Sequence, residues 1–357
     1  MKSIEELQLL VTSGFSDWGA YKGVNHKEYG PYILFNYNLH ATIQNEWTWF
    51  ERVSRGLILN RHTGEIVARP FDKFWNWGES CPMPRPNRRK RQVVQLFEKM
   101  DGSMGVFYRD SVGYRIATRG SFFSDQAVWA TDFMNYWHPN ALHYTPDEWT
   151  LLFEIIYPEN RIVVDYGQRE DMVLLGARNR HTGDYIDWET IEAYAGENNF
   201  TLPETYDELR DKANAWTVDQ IISEIDKWDS NREGVVALFN NGTRWKFKSP
   251  EYVRIHKILS TISFKNVLAA VKEGKADDII AVVPDHFRDE VVSMVEEIRN
   301  TVDHVHKMVD GYWVLSPQHT GTRKDYALWV QANCGRYAQY MYARADDKDI
   351  TEMALKY

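Results

Sequence analysis

Cysteine is nearly absent: Cys81 and Cys334 stand alone in 357 residues. Two cysteines so far apart exclude a disulfide framework and a cysteine-built zinc site, and they suit a reducing compartment. Long apolar runs are missing too, and no stretch approaches the roughly 20 apolar residues of a membrane span. Residues 1–10 mix Lys2, Glu5 and Glu6 with short apolar pieces, so no secretory leader is visible. A soluble, cytoplasmic protein is expected, with no membrane partner. Excess positive charge is also lacking. The formal net charge is −9, so any attraction to nucleic acid must come from local patches.

What is present is ordinary globular material, with 43% hydrophobic and 26% charged residues. At roughly 100–200 residues per domain, the length allows two domains. One basic cluster, Arg85, Arg88, Arg89, Lys90 and Arg91, lies in a proline-rich stretch and reads as a solvated linker. A second comprises Arg244, Lys246, Lys248, Arg254 and Lys257.

The first 250 or so residues read as β with interspersed helices. Apolar, β-branched runs recur at 57–59, 93–97, 105–108, 151–156, 162–164, 172–175 and 234–239. Asn60–Gly64 and Asn179–Gly183 share the pattern Asn-Arg-His-Thr-Gly and read as two turns whose glycine takes positive φ. Beyond about residue 255 the pattern turns helical. Asp285 is expected to cap a helix whose stripe is Phe287, Val291, Val295, Ile298, Val302, Val305 and Val309. A second helical stretch is expected near Tyr326–Ala343, and a domain boundary near 255–262.

The centre of the chemistry is Lys99-Met100-Asp101-Gly102-Ser103, after the strand-like run 93–97. A lysine amine attacks only when neutral, so a buried site beside other cations, which lowers its pKa, is expected. Taken alone, the pentapeptide also fits a hairpin turn with Asp-Gly at its tip. Downstream, Glu233 opens the apolar run 234–239. In Arg244-Trp245-Lys246-Phe247-Lys248, period-two alternation puts the three cations on one face and the two aromatics on the other. Paired lysines on a strand suit a triphosphate, or else form a solvated edge. Glu154, alone in the apolar run 151–156, needs a partner: a ribose hydroxyl, a metal, a cation, or a structural salt bridge. Of the 14 tryptophans, Trp75 and Trp77, beside Lys73, are the candidates for base stacking. His304 and His306 are two apart in an expected helix, a spacing that does not suit a metal.

The ordered set Arg55-Gly56, Lys73-Phe74, Lys99-x-Asp-Gly-Ser, Phe153-Glu154, Glu233-Gly-Val-Val and Lys246-x-Lys248 resembles the motif series of covalent nucleotidyltransferases: DNA ligases, RNA ligases and mRNA-capping guanylyltransferases. Within that superfamily it most resembles the bacteriophage RNA ligase 1 family, the tRNA-repair type. Phe35-Asn36-Tyr37 and Asn160-Arg161-Ile162-Val163 add to the likeness.

The resemblance implies an α+β nucleotidyltransferase domain of antiparallel sheets with helices, of the ligase and capping-enzyme type and unrelated to ATP-grasp, over residues 1–257. An all-helical C-terminal domain, recognising RNA or tRNA, would follow over 258–357. It implies that Lys99 takes AMP from ATP, and that Tyr37, Arg55, Lys73, Glu154, Lys246 and Lys248 bind the nucleotide. Asp101, Gly102, Arg119 and Tyr252 would support the site, and Glu233 would hold a divalent metal, Mg²⁺ or Mn²⁺. Arg119 stands where the family often has lysine, and being permanently charged it can act only electrostatically. Asp277 and Asp278 stand where the family offers an acidic metal contact, though a helix N-cap is their simpler role. The expected function is a monomeric, ATP-dependent RNA ligase joining 5′-phosphate and 3′-hydroxyl ends of single-stranded or nicked-loop RNA, tRNA above all. The alternatives are a capping enzyme or DNA ligase, which usually carry a C-terminal OB-type domain not recognisable here, and a non-catalytic RNA-binding protein on a ligase fold.

Overall fold

The computed structural model describes residues 1–79, 81, 92–111, 113–206, 216–283, 285–317 and 321–355. The cluster Arg85 to Arg91 and Pro284 lie outside the described residues. The chain divides into two compact units, Met1–Val253 and Arg254–Tyr357.

The N-terminal unit contains three antiparallel sheets. In the first, β1 (Val24–Tyr29), β2 (Tyr32–Tyr37), β3 (Arg55–Asn60) and β4 (Ile66–Ala68) pair in sequence order. The second joins β5 (Val93–Glu98) to β10 (Gly234–Phe239) and β11 (Arg244–Lys248), in the order β11-β10-β5. The third runs β7-β6-β8-β9, from β6 (Ser103–Arg109), β7 (Tyr114–Thr118), β8 (Trp149–Ile156) and β9 (Asp171–Asn179).

Alternation along the strands explains the layering. Leu34 and Ile58 of the first sheet pack with Val106, Tyr108, Ala117 and Leu152 of the third. The third sheet's opposite face, with Phe107, Phe153 and Ile155, is covered by helices Asp125–Trp137 and Trp188–Asn198 through Ala130, Met134, Ile191 and Ala195. In the second sheet, Val235, Ala237, Trp245 and Phe247 face helix Val218–Ile225. The alternate residues of the same strands, Val236, Leu238, Arg244 and Lys246, are left facing a cavity.

The C-terminal unit is helical, as expected. The stripe residues Phe287, Val291, Val295, Ile298, Val305 and Val309 are buried along helix Asp285–Leu315. His304 and His306 bond separately to Tyr337 and Thr351, each at 2.9 Å, so they share no ligand position. No described helix is long and apolar enough to cross a membrane.

Three local expectations need correction, and the helical stretch expected near 326–343 is present but divided. Residues 162–164 form bends, not a strand: the amides of Val163 and Val164 both donate to Asp101 Oδ2 at 2.9 Å, leaving none for a neighbouring strand. Asp285 is the first residue of helix Asp285–Leu315 and not its N-cap. The stretch 326–343 is two helices, Arg323–Asn333 and Ala338–Ala345, broken at Gly335 with φ +48°. Asp277 and Asp278 occupy the first turn of helix Ala276–Val282, whose N-cap is Lys275. The two Asn-Arg-His-Thr-Gly turns do match: Asn60 and Asn179 each accept two downstream amides, and Gly64 and Gly183 have φ of +71° and +81°.

Candidate active site

Lys99 does not sit in a hairpin. It lies where the chain leaves β5 in the second sheet and enters β6 in the third. Its backbone is fixed by a 2.9 Å bond from Lys99 N to Gly234 O. Gly234 has φ +148°, and a Cβ there would stand 2.0 Å from Phe247 O. Glycine alone therefore lets β10 begin against β11, and this places Glu233 beside the lysine. Glu233 is almost fully buried, with Oε2 2.5 Å from Lys99 Nζ and Oε1 2.8 Å from Lys248 Nζ.

These distances decide the charge state. Burial alone would depress the Lys99 amine, but Glu233, backed by Glu154 and Asp101, outweighs it and holds the ammonium above its ordinary range. The expected lowering by neighbouring cations does not prevail, because an ion pair at 2.5 Å dominates. Burial opposes ionisation of Glu233 as well, yet Lys99 and Lys248 prevail and keep its carboxyl below the usual range.

Asp101 is the fixed point of the nucleophile loop. It is 3% exposed. Its Oδ1 accepts from Tyr252 OH at 2.6 Å, and its Oδ2 accepts the Val163 and Val164 amides. Its own amide donates to Tyr166 OH at 2.9 Å. Gly102 N donates to Glu154 Oε1 at 3.0 Å, and a Cβ on Gly102 would stand 2.5 Å from Ile155 O. Glu154 forms no ion pair among the described residues. Burial first, then repulsion from Glu233 and Asp101 against the pull of Lys99, leaves its carboxyl pushed up to about 7.

Next to this loop is a group of cations with few anions. Arg55 and Lys246 share the ring of Phe74, at 5.2 and 4.6 Å from its centroid. Burial, then Arg55, Lys99, Lys73 and Lys248, drives the Lys246 amine well below the lysine range. Arg55 Nη1 is buried without a hydrogen-bond partner. Lys73 is caged by the rings of Trp47, Tyr37 and Trp75, at 5.0, 5.6 and 5.7 Å. Arg119 stacks over Tyr37 at 4.9 Å and donates to its hydroxyl at 2.9 Å. Gly56, with φ +95°, permits this approach, since its Cβ would stand 3.3 Å from Arg119 Cα.

Beside the loop opens a cavity of about 690 Å³ between the second and third sheets. It is lined by Lys99, Gly102, Glu154, Arg55, Lys246 and Arg119, with Phe97, Val236 and Leu175 as apolar walls. Its size and mixed lining suit a nucleotide. Trp75 is 5% exposed and belongs to the core. Trp77 is stacked on Phe247 at 5.2 Å. Neither lines the cavity. The motifs did not signal Trp47, Tyr166, Tyr185 or Trp188, because each reaches the site from a remote segment. Asp277 lies in the other unit, 92% exposed, with Arg299 at 3.9 Å.

No group of three or more His, Cys, Asp or Glu residues able to hold a metal occurs among the described residues. The carboxylates around Lys99 are Glu233, Glu154 and Asp101, the last with both oxygens already bonded, and Glu98 and Asp187 also line the cavity. So few free carboxylates beside the lysine suit an ion that takes most of its ligands from phosphate and water.

A family model described as RNA ligase matches residues 53–252. A protein of Autographa californica nuclear polyhedrosis virus, named as a bifunctional polynucleotide kinase/RNA ligase, is 27% identical over 74% of this chain and 40% of its own length. The RNA ligase of Rhodothermus phage RM378 is 25% identical over 78% of this chain and 75% of its own. This chain thus spans well under half of the viral relative. Among solved structures, a Naegleria gruberi RNA ligase with PPi gives a TM-score of 0.38 at 20% identity, over 47% of this chain and 52% of that one. With the family model matching more than half of its 357 residues, the chain belongs to the RNA ligase family, within the nucleotidyltransferase superfamily.

Proposed function

We propose that this chain is an ATP-dependent RNA ligase that works through a lysyl-AMP intermediate on Lys99. The observation that carries the proposal is the arrangement of Lys99, locked by Glu233 at the edge of a nucleotide-sized cavity, beside Arg55 and Lys246, which have no anion of their own. Buried cations without counterions are costly, and a triphosphate supplies what they lack.

The reaction has three steps, each an in-line displacement at phosphorus. Lys99 Nζ, after giving up a proton, attacks the α-phosphorus of ATP and pyrophosphate leaves. The RNA 5′-phosphate then attacks the adenylyl phosphorus, and the lysine leaves. The 3′-hydroxyl of the second end attacks the activated 5′-phosphate, and AMP leaves. Lys246, Lys248, Arg55 and Lys73 hold phosphates, while Tyr37 and Arg119 flank them. Glu154, whose carboxyl is pushed up to about 7 and so is largely neutral below that pH, can then meet a ribose hydroxyl without adding charge. Asp101, Gly102 and Tyr252 keep the loop in place. Glu233 is the side chain nearest the reaction able to hold Mg²⁺ or Mn²⁺, which would neutralise phosphate charge.

Adenylyl transfer is assigned to residues 1–257 and RNA recognition to the helical residues 258–357. For RNA as acceptor the support is family membership. For a broken tRNA loop as natural substrate, for a monomer and for a metal contact from Asp277 or Asp278, the support is the motif resemblance alone. The test is incubation with ATP labelled at the α-phosphate and a divalent ion, followed by denaturing electrophoresis. A labelled band in wild type and none in Lys99→Ala is expected, and retained label in Lys99→Ala would overturn the assignment.

A further inference from the structure

β11 carries three cations on one face, and the motif lysines account for only two. Arg244 lies two residues before Lys246, so at about 3.3 Å per residue it is roughly 7 Å farther from the Lys99 end of the cavity. Its guanidinium lines the cavity and stands 4.0 Å from the centroid of Tyr185 and 5.2 Å from that of Phe71. It forms no hydrogen bond or ion pair among the described residues. The nearby carboxylate, Asp72, is already held by two bonds from Arg178, at 2.7 and 3.2 Å. Tyr185 is itself fixed: Arg178 stacks on its ring at 4.7 Å, and its hydroxyl accepts the Asp72 amide at 3.3 Å. Arg244 is therefore positioned by aromatic contact, with its donors unused.

The walls between Lys99 and Arg244 decide what those donors meet. Across the sheet Arg244 pairs with Leu238, and Lys246 with Val236, which in turn pairs with Phe97. Trp188 packs edge-on to Phe97 at 4.6 Å. Apart from Gln95, which pairs with Leu238 at the Arg244 end, this apolar stretch offers a polyphosphate no donors, whereas an aromatic base fits it. The phosphates belong with Lys246, Arg55 and Lys73 near the nucleophile, so the base extends toward Arg244. Resting on the nucleotide reading above, we propose that Arg244 is a base-recognition residue, whose guanidinium, held over Tyr185, donates a hydrogen bond to a ring nitrogen of the purine.

The test is calorimetric titration in a Lys99→Ala background, which binds ATP without reacting. The probes are ATP, its 1-deaza, 3-deaza and 7-deaza analogues, and inorganic tripolyphosphate. Arg244→Met keeps the apolar stem and removes the donors, and Arg244→Leu, which also has no donor, serves if the methionine variant does not fold. With Arg244 present, at least one deaza analogue should bind about tenfold or more weaker than ATP. In the Arg244 variant ATP itself should weaken by a similar factor, that discrimination should vanish, and tripolyphosphate binding should not change. Discrimination that persists in the variant, or an equal loss of tripolyphosphate affinity, would overturn the proposal. A parent protein that binds no nucleotide at all would instead defeat the proposed function.

Discussion

The hydroxyl of Tyr252 donates to Asp101 Oδ1 at 2.6 Å, linking the first turn of helix Pro250–Thr261 to the loop that carries Lys99. The two residues are 151 positions apart, and both are buried. With the Val163 and Val164 amides on the other oxygen, the bond fixes the carboxylate from two sides. A buried carboxylate that loses a hydroxyl donor keeps its desolvation cost.

Tyr252→Phe should therefore lower stability by about 1–3 kcal/mol in urea denaturation. The ring still fills its site, so packing loss would not explain the change. Unchanged stability would show that the bond contributes nothing net.

Lys246→Met should raise stability while lowering the rate of AMP labelling by about a hundredfold or more. The buried ammonium is crowded by Arg55, Lys99, Lys73 and Lys248. Its folded pKa is depressed, so the unfolded chain binds that proton more tightly and wild-type stability rises with pH toward the lysine range. The variant's advantage, about 1–4 kcal/mol, should thus be larger at pH 7 than at pH 9.5 in paired denaturation curves. A destabilised variant would mean that the surrounding site already neutralises the charge.

Gly234→Ala should cost more than about 3 kcal/mol or prevent soluble expression. The new Cβ would meet Phe247 O at 2.0 Å and Lys248 Cα at 2.8 Å, both backbone atoms that cannot swing aside. Gly242→Ala is the control: its φ is +78° with nothing within 4 Å, so only conformational strain of about 1 kcal/mol is expected. Equal losses at the two positions would show that steric contact is not the cause.

Glu154→Gln tests the raised carboxyl. A folded-state pKa of about 7 means that the folded protein binds this proton more tightly than the unfolded chain does. The stability it contributes is complete below the ordinary glutamate range and is lost as pH climbs through about 7. Wild type should lose up to about 3 kcal/mol relative to the glutamine variant between pH 5 and pH 8. Parallel stability curves for the two proteins would rule out the shift.

The strands and the order of the motifs were legible because their signals are local. The run 234–239 is β10, and the alternation in 244–248 put Trp245 and Phe247 in the core with Lys246 facing the cavity. A strand's period of two fixes which side chains share a face whatever lies opposite. The stripe of helix Asp285–Leu315 was legible for the same reason, at a period of 3.6.

The tertiary structure decided what those faces meet. Residues 162–164 have the composition of a strand, but Asp101, some 60 positions away, captures two of their amides. Lys73 is caged by Trp47, and Arg244 rests on Tyr185, partners that no local spacing announces. The charge of Lys99 turned on the balance between burial and a carboxylate at 2.5 Å, and distance is what settles that balance. The sequence by itself determined which residue types are available and in what register. Only the folded chain determined which charges are paired, because pairing depends on separation in space and not on separation along the chain.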